Sequence, residues 1–140
     1  MYQHILLAMD TTSSDRALLA HVSELAKMHK SRLLLLHVAD GWAARHFDEL
    51  QLAESEEMKE DKAYLQKCAE DLRAAGLTVE PHLALGDPPG EILKIAEREK
   101  CDLIAMTTHG HRFVADILLG STIEAVRHKS HIPLLIVRAE

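Results

Sequence analysis

Leu103-Ile104-Ala105-Met106-Thr107-Thr108-His109-Gly110 is an apolar run ending in a glycine-bearing turn, and nine further residues separate Gly110 from Gly120-Ser121-Thr122. The run from Leu103 to Met106 is short and continuous, as a strand buried on both faces of a parallel sheet would be. Thr122 to His128 has the composition of a helix, so the segment reads as strand, loop and helix start. Backbone N–H groups from the Gly110 turn and from a helix start at Gly120-Ser121 would point into one space, where phosphate oxygens are favoured. Glycine permits both a left-handed backbone and a close approach by such an anion, and Ser121 can donate from side chain and main chain. The plainer alternative is a turn followed by an ordinary N-cap.

On either side of this segment, apolar runs alternate with amphipathic segments of helix length, the pattern of a parallel sheet covered by helices on both faces. Strands are expected at 4–9, 32–38, 78–84, 103–107 and 133–138. Ser13-Ser14-Asp15 can cap a helix in which Leu18, Leu19, Val22, Leu25 and Ala26 recur at helical spacing, ending near His29. A longer helix is expected from about 47 to 75, burying Leu50, Ala53, Tyr64, Leu65, Cys68 and Leu72, with Gly76 as its stop. Its charged run, 54–62, reads as a solvated face. Gly86-Asp87-Pro88-Pro89 reads as a turn with Asp87 as N-cap and Pro88 at the first helical position.

A chain of 140 residues, 47% hydrophobic, is long enough to bury a core as one domain, 1–140. Sixteen basic residues against 22 acidic ones give a formal charge of −6, which disfavours nucleic acid and anionic membranes as partners. A local cluster such as His109, His111, Arg112 and Arg127 still allows a single nucleotide. Cys68 and Cys101 stand far apart outside any CxxC spacing, so free thiols in a reducing compartment are expected. With no leader-like start and no apolar run approaching about 18 residues, the expected location is cytoplasmic, without membrane insertion. His109 with His111, and His128 with His131, lack the companions a zinc site needs, so no metal site is expected. His37, inside an apolar run, reads as a hydrogen-bonded strand histidine.

Taken with Ile5-Leu6-Leu7-Ala8-Met9-Asp10 and Ile132-Pro133-Leu134-Leu135-Ile136-Val137-Arg138, the 103–122 segment resembles the universal stress protein family over essentially the whole chain. Nucleotide-binding members carry G-x2-G-x9-G-[ST], which aligns here with Thr107, Gly110, Gly120 and Ser121. Thr107 is the one departure, a side chain where the family has bare backbone. The resemblance implies a doubly wound, Rossmann-like α/β fold whose five parallel strands run in the order 3-2-1-4-5. In that order the switch point lies between the first and fourth strands, where open sheets of this kind bind ligands. Asp10 ends the first strand and Thr107 to Gly110 follow the fourth, so the two meet in one crevice. The family's aspartate lies beside the adenosine, whereas the local alternative for Asp10 is a turn-former capping Thr12 or Ser13. Ala8, Met9 and Val38 match positions around the base, and Met106 one on the pocket floor; each also fits as core. His109 matches a loop position near the phosphates, and His111 stands where relatives often carry Arg or Lys, so its charge there depends on protonation. Thr122 completes the helix start.

The expected cofactor is therefore ATP or AMP, with or without Mg2+, and the expected partner is a second copy paired through the 132–137 edge strand. Catalytic signatures are absent: there is no G-x-x-x-x-G-K-[ST], no G-x-S-x-G, and no G-x-G-x-x-G after the first strand. A regulatory adenine-nucleotide-binding module is expected, at most a slow ATP hydrolase. The rival readings are a nucleotide-free dimeric interaction protein of the same fold and a weak nucleotide hydrolase. Sequence names no downstream partner.

Overall fold

The computed structural model describes residues 1–39, 51–108 and 113–139. Strands β1 (His4–Ala8), β2 (Arg32–Ala39), β3 (Thr78–Leu85), β4 (Leu103–Thr108) and β5 (Leu134–Arg138) form a sheet in the order β3-β2-β1-β4-β5. Every pairing is parallel, with Ile5 opposite Leu33 on one side and Leu103 on the other. Helices α1 (Asp15–His29), α2 (Gln51–Ala74), α3 (Pro88–Arg98) and α4 (Phe113–Lys129) make the crossovers. Each strand agrees with its sequence expectation to within one residue at either end.

The three central strands carry unbroken apolar runs, Ile5–Ala8, Leu33–Leu36 and Leu103–Met106, because both of their faces are covered. Ile5, Leu7, Leu33, Leu35, Leu103 and Ala105 pack with Leu18, Val22 and Ala26 of α1 and with Leu65 and Ala69 of α2. The alternate residues Leu6, Leu34, Leu36, Ile104 and Met106 pack with Ile92, Ile95 and Ala96 of α3 and with Val126 of α4. The two-residue period of a strand thus splits one hydrophobic run into two cores. Cys68 and Cys101 are free thiols, and burial pushes the Cys101 thiol up to about 11.

The turn chemistry follows the sequence closely. Asp87 caps α3 by accepting the Gly90 N–H at 3.2 Å, with proline in the first turn. Gly76, at φ +93°, ends the α2 segment in the left-handed region that favours glycine. The expected burial of Leu50 and the start of α2 near 47 lie outside the described residues, as does the expected burial of the Ala53 side chain. At α1 the expectation needs correcting. Ser14 is the N-cap but makes no side-chain cap bond, and its hydroxyl donates to Asp10 instead.

A second correction concerns α4. It begins at Phe113, so Gly120-Ser121-Thr122 lie inside the helix, about two turns from its start, and do not open it. Phe113 to Leu119 contains no glycine or proline, and a single interior glycine costs only about 1 kcal/mol, so a helix can run through Gly120. N–H groups in a helix interior are committed to carbonyls four residues back. The expected cradle of N–H groups at 120–122 is therefore not present in this conformation.

Candidate functional site

At the carboxyl ends of β1 and β4, where the strand order reverses, two residues far apart in sequence meet. The Thr107 hydroxyl donates to Asp10 Oδ2 at 3.4 Å, a long contact, and the Ser14 hydroxyl donates to the same oxygen at 3.0 Å. Thr107 is almost wholly buried, its side chain turned toward Asp10. Asp10 is therefore held by hydroxyls from its own loop and from β4. Ser14 is drawn from its capping role into this cluster, where its Oγ also lies 2.7 Å from Thr12 Oγ1.

The backbone of the same loop is fixed from beneath. Asp15 has no exposed surface, and its carboxyl accepts the N–H groups of Asp10 and Thr11, each at 2.8 Å. Tyr64 of α2 donates its hydroxyl to the same carboxyl at 2.8 Å. Thr11 takes φ +60°, an uncommon conformation for a β-branched residue. At the end of β2, His37 Nδ1 lies 2.8 Å from the Met9 carbonyl, and its Nε2 lies 3.6 Å from Asp61 of α2. Since a carbonyl only accepts, Nδ1 carries the proton. The sequence expectation for His37 holds.

Burial pushes the Asp15 carboxyl above its usual 3.8, and the nearby Asp10 charge adds to this; the two backbone N–H groups and the Tyr64 hydroxyl pull the other way. The folded protein therefore holds this proton more tightly than the unfolded chain does. Asp15's contribution to stability is complete below pH 3.8 and is lost as pH rises through the raised folded value. We predict that the stability of the wild type relative to Asp15→Asn, which cannot titrate there, falls as pH rises from 3.8 towards neutrality. Urea midpoints across that range test it; a pH-independent difference would contradict the shift.

The remaining sequence candidates divide. Ala8, Val38 and Met106 share the sheet face that α3 and α4 cover, while Met9 belongs to the opposite core. Met9 reaches the loop through its backbone, since its N–H donates to the Leu36 carbonyl at 2.7 Å and its carbonyl meets His37. Ser121 is exposed and Thr122 half-buried on α4, and Gly120 lies in the same helix. His109, Gly110 and His111 lie outside the described residues. Sequence reasoning missed Asp15 and Tyr64, since an aspartate at a helix start reads as an end-charge and a tyrosine at helical spacing reads as core.

The family model of the Universal stress protein family matches residues 1–138. Universal stress protein MJ0577 of Methanocaldococcus jannaschii is 32% identical over 158 aligned residues, covering 99% of this chain and 96% of its own. The solved structure of MJ0577 superposes with a TM-score of 0.83 at 32% identity, over 100% of this chain and 98% of the other. A universal stress protein from Archaeoglobus fulgidus in complex with dAMP has the same fold, with a TM-score of 0.71 at 19% identity over 98% of each chain. So does a universal stress protein in complex with cAMP, with a TM-score of 0.70 at 23% identity, over 99% of this chain and 98% of the other. With a profile match along nearly its whole length and a relative this similar end to end, the chain belongs to the universal stress protein family.

Proposed function

We propose that this chain, working as one domain, binds an adenine nucleotide in the crevice beyond β1 and β4 and acts as a regulatory stress-response module. The observation that carries the proposal is the meeting of Asp10 and Thr107 at the switch point of the sheet, where open α/β sheets take their ligands. Two proteins of the same fold hold cAMP and dAMP, which adds support for the ligand class. ATP or AMP is the proposed ligand, with Mg2+ as a companion of the triphosphate. Asp10 would accept from the ribose or the exocyclic amine, Ala8, Met9, Val38 and Met106 would surround the base, and the 107–111 loop would face the phosphates together with the Ser121 and Thr122 hydroxyls and the bare surface of α4 at Gly120, rather than the helix N–H groups. No base or nucleophile is assigned, so hydrolysis would be slow at most. The proposed location is the cytoplasm; among the described residues no helix is long and apolar enough to cross a membrane. Extraction of nucleotide from purified protein, identified by mass spectrometry, tests the proposal directly. An empty protein that also fails to take up ATP or AMP would overturn it.

The two edges of the sheet differ in a way that supports a homodimer. On β3, Glu80 and Pro81 blunt the edge, whereas β5 offers Leu134 to Val137 with neither charge nor proline, and Ile136 is 38% exposed. The proposal is that two copies pair through residues 132–137. Light scattering at micromolar concentration should give twice the chain mass, and Ile136→Lys should return the monomer; a monomeric wild type would contradict the pairing.

One observation favours the nucleotide-free reading. Because α4 runs unbroken through Gly120, the N–H groups at 120–122 are occupied within the helix, and Thr107 fills a position that is glycine in the binding motif. Nucleotide extraction separates these two readings as well.

A further inference from the structure

The turn after β1 is built around a carboxyl group that solvent does not reach. Two consecutive backbone N–H groups, from Asp10 and Thr11, converge on Asp15 at 2.8 Å each, a concave arrangement of the kind that binds anions. Thr11 occupies the left-handed region at φ +60°, where a β-branched side chain is strained unless its surroundings hold it there. Asp15 supplies that hold. The same turn sends the Asp10 side chain across the strand ends to Ser14 and Thr107. The Tyr64 hydroxyl, from a helix 49 residues further along the chain, donates at 2.8 Å to Asp15 Oδ2, the oxygen that also accepts from Thr11.

We propose that Asp15 is a positioning residue of the nucleotide site: it fixes the backbone at Asp10 so that the Asp10 carboxylate faces the ribose hydroxyls, and Tyr64 holds Asp15 in place. The inference rests on the nucleotide reading above. It adds two residues that touch no ligand and ties α2 to the site. A merely structural role for the pair predicts a general loss of stability and an equal loss of affinity for every ligand. The positioning role predicts a loss confined to ligands that carry the hydroxyls Asp10 accepts from.

Asp15→Asn presents one amide oxygen to two N–H groups and turns an NH2 toward the second. Tyr64→Phe removes only the outer hydroxyl and leaves the carboxyl, so it serves should the first variant fold poorly. Amide hydrogen exchange should accelerate at Asp10 or Thr11 in both variants, more in Asp15→Asn, with the Leu6 and Leu34 amides unchanged. By calorimetry, AMP should bind about five-fold more weakly to Asp15→Asn, the effect of one net hydrogen bond. The 2′,3′-dideoxy analogue, which lacks the hydroxyls, should bind both proteins alike. Equal weakening of AMP and the dideoxy analogue, or unaltered exchange at Asp10 and Thr11, would overturn the inference. A wild type that binds neither AMP nor ATP defeats the nucleotide reading itself, and the exchange measurement then still decides whether Asp15 orders Asp10.

Discussion

Gly120→Val and Ser121→Glu should each abolish detectable nucleotide binding while leaving the fold intact. Gly120 lies within α4, where valine is a better helix former than glycine, so the substitution should not destabilise the helix. Its β-carbon branches would stand where a phosphate needs bare backbone. Ser121 is exposed, so glutamate meets no burial cost there. Two like charges about 4 Å apart near a surface repel by about 4 kcal/mol, and a third of that already weakens binding about ten-fold. Circular dichroism and thermal melting separate binding from folding in these variants. Calorimetry that returned wild-type affinity for both would show that 120–122 is an ordinary piece of helix.

Leu35→Ala should be the most destabilising single truncation of the sheet. Leu35 has no exposed surface and sits on the strand between β1 and β3, opposite Leu7 on one side and Pro81 on the other. Removing a buried leucine side chain costs about 2–5 kcal/mol through lost transfer energy and the cavity left behind. Against a typical domain stability of about 5–15 kcal/mol, that is a substantial fraction. Leu85 ends the edge strand β3 and is 37% exposed, so Leu85→Ala should cost about 1 kcal/mol or less. Urea titration of the two variants checks the contrast, and equal losses would place the core elsewhere.

The parts of the fold that could be read from sequence are those whose physics is local. Strands such as Leu33 to Leu36 announce themselves because burial on both faces removes the polar alternation that would otherwise blur them. Asp87 before Pro88, and Gly76 after α2, work as caps because backbone chemistry within a few residues decides them. The start of α4 was not legible in the same way. Gly-Ser-Thr is a good N-cap sequence wherever it stands, and nothing nearby reveals that the seven residues before it continue the helix. The site divides similarly. Asp10 and Thr107 were placed together through the strand order implied by the family resemblance, and the sheet brings them within a hydrogen bond. Asp15 and Tyr64 depend on how a helix 49 residues away packs over a turn, and no spacing rule in one sequence encodes that contact. Thr107 reads from sequence only as a side chain where the family has bare backbone, and the fold gives that side chain a partner in the Asp10 carboxylate.

That contact makes Thr107 the residue that decides whether the crevice takes a nucleotide. If its side chain orders Asp10 and leaves the crevice open, glycine at this position removes one long hydrogen bond and little else. Titrating wild type and Thr107→Gly with ATP and AMP is the most direct measurement. The wild type should bind, and the variant's affinity should differ by about 1 kcal/mol or less. A wild type that stays silent while Thr107→Gly binds would contradict this, showing that the threonine closes the site and that the protein works without a nucleotide.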